Sequence, residues 1–139
     1  MEVPILRQGP YLIATIQSAL SDADLLRLRN SLVEQVGRLR ARGVIVDVTV
    51  LDVMDSFATR TIRDIAHMIR LRGAETVIVG IQPDVAFAMV RLGLTLEGIA
   101  TALDLEEGLV HLNKQIRRLE GSTDGAGAPL LRGNGEGRA

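Results

Sequence analysis

Hydrophobic positions recur with two alternating periods between residues 5 and 119. Tyr11-Leu-Ile-Ala-Thr-Ile16, Val44-Ile-Val-Asp-Val48 and Thr76-Val-Ile-Val-Gly-Ile81 are short, rich in β-branched residues and bounded by turn formers, which predicts strands. Ile5-Leu6, ahead of Gly9-Pro10, predicts a further strand that turns back through that pair. Elsewhere the period lengthens to three or four residues, as on one face of a helix. Leu25, Leu28, Leu32, Val36 and Leu39 form one such face, with Ser21 as N-cap and Gly43 as terminator. Ala58, Ile62, Ile65, Ala66 and Ile69 form a second, closed by Gly73, and Pro83 opens a short third helix that Gly93 ends. Asp104 and Glu107 make a capping-box variant ahead of Leu105, Leu109, Leu112, Ile116 and Leu119.

The predicted order is β-β-α-β-α-β-α-β-α, with Ile99-Ala100 as the short last strand. Helical crossovers make 44–48 and 76–81 parallel and right-handed, while the opening hairpin is antiparallel. The expected class is therefore α/β, with a mixed, mostly parallel sheet of about four or five strands and about four helices.

The chain of 139 residues suits one domain. Its composition changes at Gly121: Gly121, Gly125, Gly127, Gly133, Gly135 and Gly137 all fall in the last stretch, where Leu130-Leu131 is the one apolar island. Such a segment buries too little apolar surface to offset its ordering entropy, roughly 1–2 kcal/mol per residue. The expected division is a folded domain over 1–120 and a flexible Gly-rich tail over 121–139.

The chain has no Cys, which removes disulfides, Cys-ligated metal and thiol catalysis. With 16 Lys+Arg against 17 Asp+Glu there is no global field to attract nucleic acid, and 2% aromatics supply no base-stacking platform. No run of about 18 apolar residues occurs. Met1-Glu2-Val3-Pro4 lacks a signal-peptide pattern, so a soluble cytoplasmic protein is expected, with neither nucleic acid nor membrane as partner.

Enzymatic chemistry finds few parts. His67 lies mid-helix on the flank of the second stripe and His111 in the last helix, where both read as ordinary surface or boundary residues. Phosphate-binding glycine loops are missing and the one lysine, Lys114, falls late in the last helix. Asp47, Asp52 and Asp55 cluster after the 44–48 strand, where a divalent cation could bind, although turn formation and helix capping account for them more simply. A metal-assisted phosphatase would need that cluster; no cofactor and no metal are expected.

Asp55-Ser56-Phe57 remains. With Asp55 as N-cap, Ser56 occupies the first turn of the second long helix as an exposed hydroxyl at the positive end of its dipole. A phosphate there would bring about −1.5 to −2 charges that the fold could tolerate and a partner packed over the turn could not. From the residues alone, a serine that merely starts a helix remains the simpler account.

The stretch Val44-Ile-Val-Asp-Val-Thr-Val-Leu-Asp-Val-Met-Asp-Ser-Phe57 resembles the signature of STAS domains, the anti-sigma-factor antagonist family. Leu71-Arg72-Gly73-Ala74, Val77-Ile-Val-Gly-Ile-Gln-Pro83, Leu92-Gly93 and Thr101-Ala-Leu-Asp-Leu-Glu-Glu-Gly-Leu109 resemble its stressosome branch, within it the small single-domain RsbS type, over about residues 3 to 119. The resemblance implies a STAS fold and a non-enzymatic scaffold. Such scaffolds co-assemble with RsbR-type STAS paralogues, with a homodimer as building block, and sequester an RsbT-like switch kinase. By the same resemblance Ser56 is the phosphorylated residue, reset by a phosphatase; with Asp55 as its helix cap, Phe57, Thr59 and Arg60 are the neighbours expected at a kinase contact. Asp84-Val-Ala-Phe-Ala-Met-Val90 carries no hydroxyl, unlike the corresponding helix of RsbR-type paralogues. Thr59 and Thr61, one turn beyond Ser56, offer two further hydroxyls for modification. The alternative within the family is a stand-alone antagonist of an anti-sigma factor, switched by the same serine.

Overall fold

The computed structural model describes residues 2–127, and side chains over 2–120. Its elements run β1 (Ile5–Gln8), β2 (Tyr11–Thr15), α1 (Asp22–Leu39), β3 (Gly43–Asp47), α2 (Ser56–Leu71), β4 (Glu75–Val79), α3 (Pro83–Arg91), β5 (Ala100–Ala102) and α4 (Leu105–Gly127). The strands form one sheet in the order β1-β2-β3-β4-β5, antiparallel only between β1 and β2. This is the STAS fold, a five-stranded mixed sheet with four helices.

Both faces of the sheet are covered, which is why its central strands carry apolar residues at consecutive positions, as in Val44-Ile-Val46 and Val77-Ile-Val79, instead of alternating. Leu12, Ala14, Val44, Val46 and Ile78 face α1 and α2, meeting Leu28, Leu32, Ile62, Ile65 and Ile69. Tyr11, Ile13, Ile45, Val77 and Val79 face α4 and meet Leu112. The α4 contact is close: a Cβ on Gly108 would lie 2.8 Å from Val79 Cγ1, so the helix backbone rests directly on β4 there.

Several ends differ from the sequence-based expectation. Ser21 caps α1 as expected, in a reciprocal capping box with Asp24. The helix does not run on to Gly43, however; it stops at Arg40, which adopts the left-handed conformation (φ 54, ψ 43), and Gly43 begins β3. β4 ends at Val79 because Gly80 turns to φ 82, although the apolar run continues to Ile81. α4 extends to Gly127, past the expected domain boundary at 120, and residues 128–139 of the expected tail lie outside the described residues.

Candidate functional site: the turn around Ser56

The loop from β3 to α2 is held at both ends and by two anchors between them. At its start, Asp47 Oδ1 accepts from the Thr49 backbone N–H (2.9 Å) and from Thr49 Oγ1 (2.6 Å). The carboxylate thus closes a short turn in the manner of an Asx motif. From the neighbouring loop, Gln82 Nε2 donates to the Thr49 carbonyl at 2.7 Å. Gly80 makes this approach possible, since a Cβ there would stand 2.0 Å from Thr49 Oγ1. Leu51 (8% exposed) and Met54 (6%) then sink into the core, leaving Val50, Asp52 and Val53 outside.

At the loop's far end Asp55 is the N-cap of α2: its extended backbone (φ −77, ψ −178) lets Oδ1 accept from the Ala58 N–H at 2.8 Å. This satisfies one of the helix's free amide donors. Ser56 follows as the first helical residue, exposed, with no hydrogen bond from its hydroxyl among the described residues. Its Oγ is therefore free both to be approached and to be modified. Beside it a groove of about 200 Å³ runs between the α1 start and this loop, lined by Leu20, Asp22, Leu25, Leu51, Val53 and Asp55.

The expected contact residues divide. Phe57 is half-buried and Arg60 exposed, both within reach of a partner laid over the turn. Thr59 is a correction: it is fully buried, and Thr61 is 5% exposed. The inward face of α2 runs 59, 62, 66, 69, a three-and-four spacing that starts at Thr59 instead of at half-buried Ala58. Neither threonine offers a hydroxyl to a kinase while α2 stays packed. His67 is exposed on α2 and His111 half-buried on α4, both away from the Ser56 turn. Among the described residues no three His, Asp or Glu converge as a metal site, and Asp47 and Asp55 direct their oxygens at their own turns.

Sequence reasoning missed the clamp of Thr49 by Asp47 and Gln82. Its one visible trace was Gly80 inside an otherwise β-branched run, the mark of a close backbone approach.

The STAS domain family matches residues 3–108. The chain is a STAS-domain protein of the stressosome branch. A serine-to-glutamate variant of Moorella thermoacetica RsbS superposes with a TM-score of 0.73 at 33% identity, covering 83% of this chain and 97% of that one. A chain from a structure described as the molecular architecture of the stressosome, a signal integration and transduction hub, gives 0.71 at 34% identity, covering 82% and 99%. Among curated relatives, the RsbT co-antagonist protein RsbRA of Bacillus subtilis is 30% identical over 83 residues, 60% of this chain and 30% of that protein. The chain spans about a third of the length of the RsbR-type relatives it matches. No helix among the described residues is long and apolar enough to cross a membrane.

Proposed function

We propose that the protein is a non-catalytic stressosome scaffold that holds a serine/threonine switch kinase against the Ser56 turn and releases it once Ser56 is phosphorylated. It acts in co-assembly with RsbR-type STAS paralogues, built from dimers, and a phosphatase restores the free serine. The functional domain is the expected 1–120, from which α4 runs on into the start of the 121–139 tail.

One observation carries this reading. Ser56 presents an exposed hydroxyl, without an intramolecular partner, at the first position of α2, in a chain similar to RsbS over most of both lengths. A phosphate at this position gains about 0.3–1 kcal/mol from the helix dipole, offset in part by Asp52 and Asp55 beside it. A partner that covers the turn would instead bury a dianion without a counter-charge, at a cost of several kcal/mol. Modification thus weakens binding far more than folding.

Incubation with the switch kinase and ATP, followed by peptide mass spectrometry, tests the acceptor. One phosphate on Ser56, none on Thr59 or Thr61, and none on Ser56→Ala are expected; a phosphate that persists in Ser56→Ala rejects the assignment.

A further inference from the structure

Net charge conceals a polar arrangement. Each helix begins near the carboxyl ends of the parallel strands, so that end collects acidic helix starts: Asp22, Asp55, Asp84 and Asp104. The opposite end collects basic residues, with Arg38 and Arg40 closing α1, Arg42 preceding β3, and Arg70 and Arg72 closing α2. Helix dipoles account for part of this segregation.

They do not account for the cleft between the ends of α1 and α2. It is a shallow, open depression of about 560 Å³ over Val36 and Ala41, rimmed by Arg40, Arg42, Leu71 and Arg72. Arg38, Arg42 and Arg70 each pair with a carboxylate, those of Glu34, Glu120 and Glu75. Arg40 and Arg72 pair with none among the described residues. Arg40 also occupies a left-handed position (φ 54) that helix ends ordinarily give to glycine. A strained arginine where glycine would serve the fold better points to a role outside the fold. Arg72 has a prepared seat: a Cβ on Gly37 would fall 1.5 Å from its Nη2, so the guanidinium lies against bare helix backbone. Leu71 beside it is 88% exposed, the most exposed large apolar side chain described.

We infer that this cleft docks a carboxylate-bearing segment of a partner protein, with Arg40 and Arg72 gripping its acidic side chains and Leu71 packing an apolar neighbour. Guanidinium forks match carboxylates in paired hydrogen bonds, and arginine next to exposed apolar surface is the composition of protein interfaces. A small phosphate fits less well. The backbone N–H groups of residues 40, 41, 72, 73 and 74 are all spent on carbonyls of their own helix ends, so none is left to cradle it. The cleft lies at the opposite end of the sheet from Ser56, so a partner here and one over Ser56 bind without overlap. The inference stands on this cleft alone and is independent of the kinase assignment.

The test titrates a synthetic peptide of Glu, Asp and Leu into the isotope-labelled full chain and follows backbone amide shifts. Saturating shifts confined to residues 36–42 and 70–74, fading at high salt and absent with a Gln/Asn/Leu peptide, are expected. Arg40→Gly should melt higher than the parent while binding the peptide at least about tenfold more weakly, or about 1.4 kcal/mol. Gly37→Ala, a better helix former that displaces Arg72, should weaken binding in the same way. A purely structural Arg40 would show the opposite sign or no change in binding, which overturns the inference. So does inorganic phosphate that saturates the same resonances as tightly as the peptide.

Discussion

The side-chain amide of Gln82 donates to the carbonyl of Thr49 at 2.7 Å, which ties the start of α3 to the loop that carries Ser56. Gln82 is the N-cap residue of α3 yet makes no cap hydrogen bond with its side chain. It is used across the sheet end instead. Gln82→Ala should therefore cost about 0.5–1.5 kcal/mol, a hydrogen bond's net worth, with little effect on α3 itself. Hydrogen exchange checks this: amides over 49–55 should exchange faster and those of α3 should not.

Asp55 and Ser56 are neighbours with separable roles. Asp55→Ala removes the cap on Ala58 N–H and should cost about 0.5–2 kcal/mol. Ser56→Ala and Ser56→Asp, at an exposed first-turn position, should each stay within about 0.5 kcal/mol of the parent by denaturant melts. A Ser56→Asp chain that unfolds would show the serine to be structural.

Thr59 and Thr76 each bury a hydroxyl with no hydrogen-bond partner among the described residues. Replacement by valine keeps the branched shape and removes the unsatisfied group. Thr76→Val on β4 should stabilise the fold by about 1 kcal/mol, and Thr59→Val should be neutral to stabilising. Thermal melts that fall by several degrees would reveal a hidden partner.

Tyr11 is the single tyrosine in a chain without tryptophan, so its phenol can be titrated by absorbance without interference. Burial raises its pKa above 10.0, partly opposed by Arg42 and Arg117, and its hydroxyl donates to Asn113 Oδ1 at 2.5 Å. Raised in the folded state, it contributes stability that is whole below the unfolded value near 10 and is lost as pH climbs through the folded value. A midpoint above 10 in the native chain, with a drop in stability over the same range, is expected; a native midpoint at or below 10 contradicts it.

The order of strands and helices along the chain was legible because two buried faces force continuous apolar strands, and three-and-four spacing marks each helix. Even the Asp55 cap showed, since an aspartate before a periodic stripe has few other uses. Element ends were less legible. Arg40 closes α1 where a glycine was expected, since no local rule selects arginine for a left-handed residue. The inward turn of Thr59 was hidden by its polarity, and the Thr49 clamp by its dependence on two loops far apart in sequence.

The central claim concerns release by one phosphate. The most direct measurement is the affinity of the switch kinase for the full chain, assembled with an RsbR-type paralogue, before and after phosphorylation of Ser56. A cost of several kcal/mol predicts binding weakened by about a hundredfold or more, with the melting temperature nearly unchanged. Equal affinity for the two forms would contradict the account.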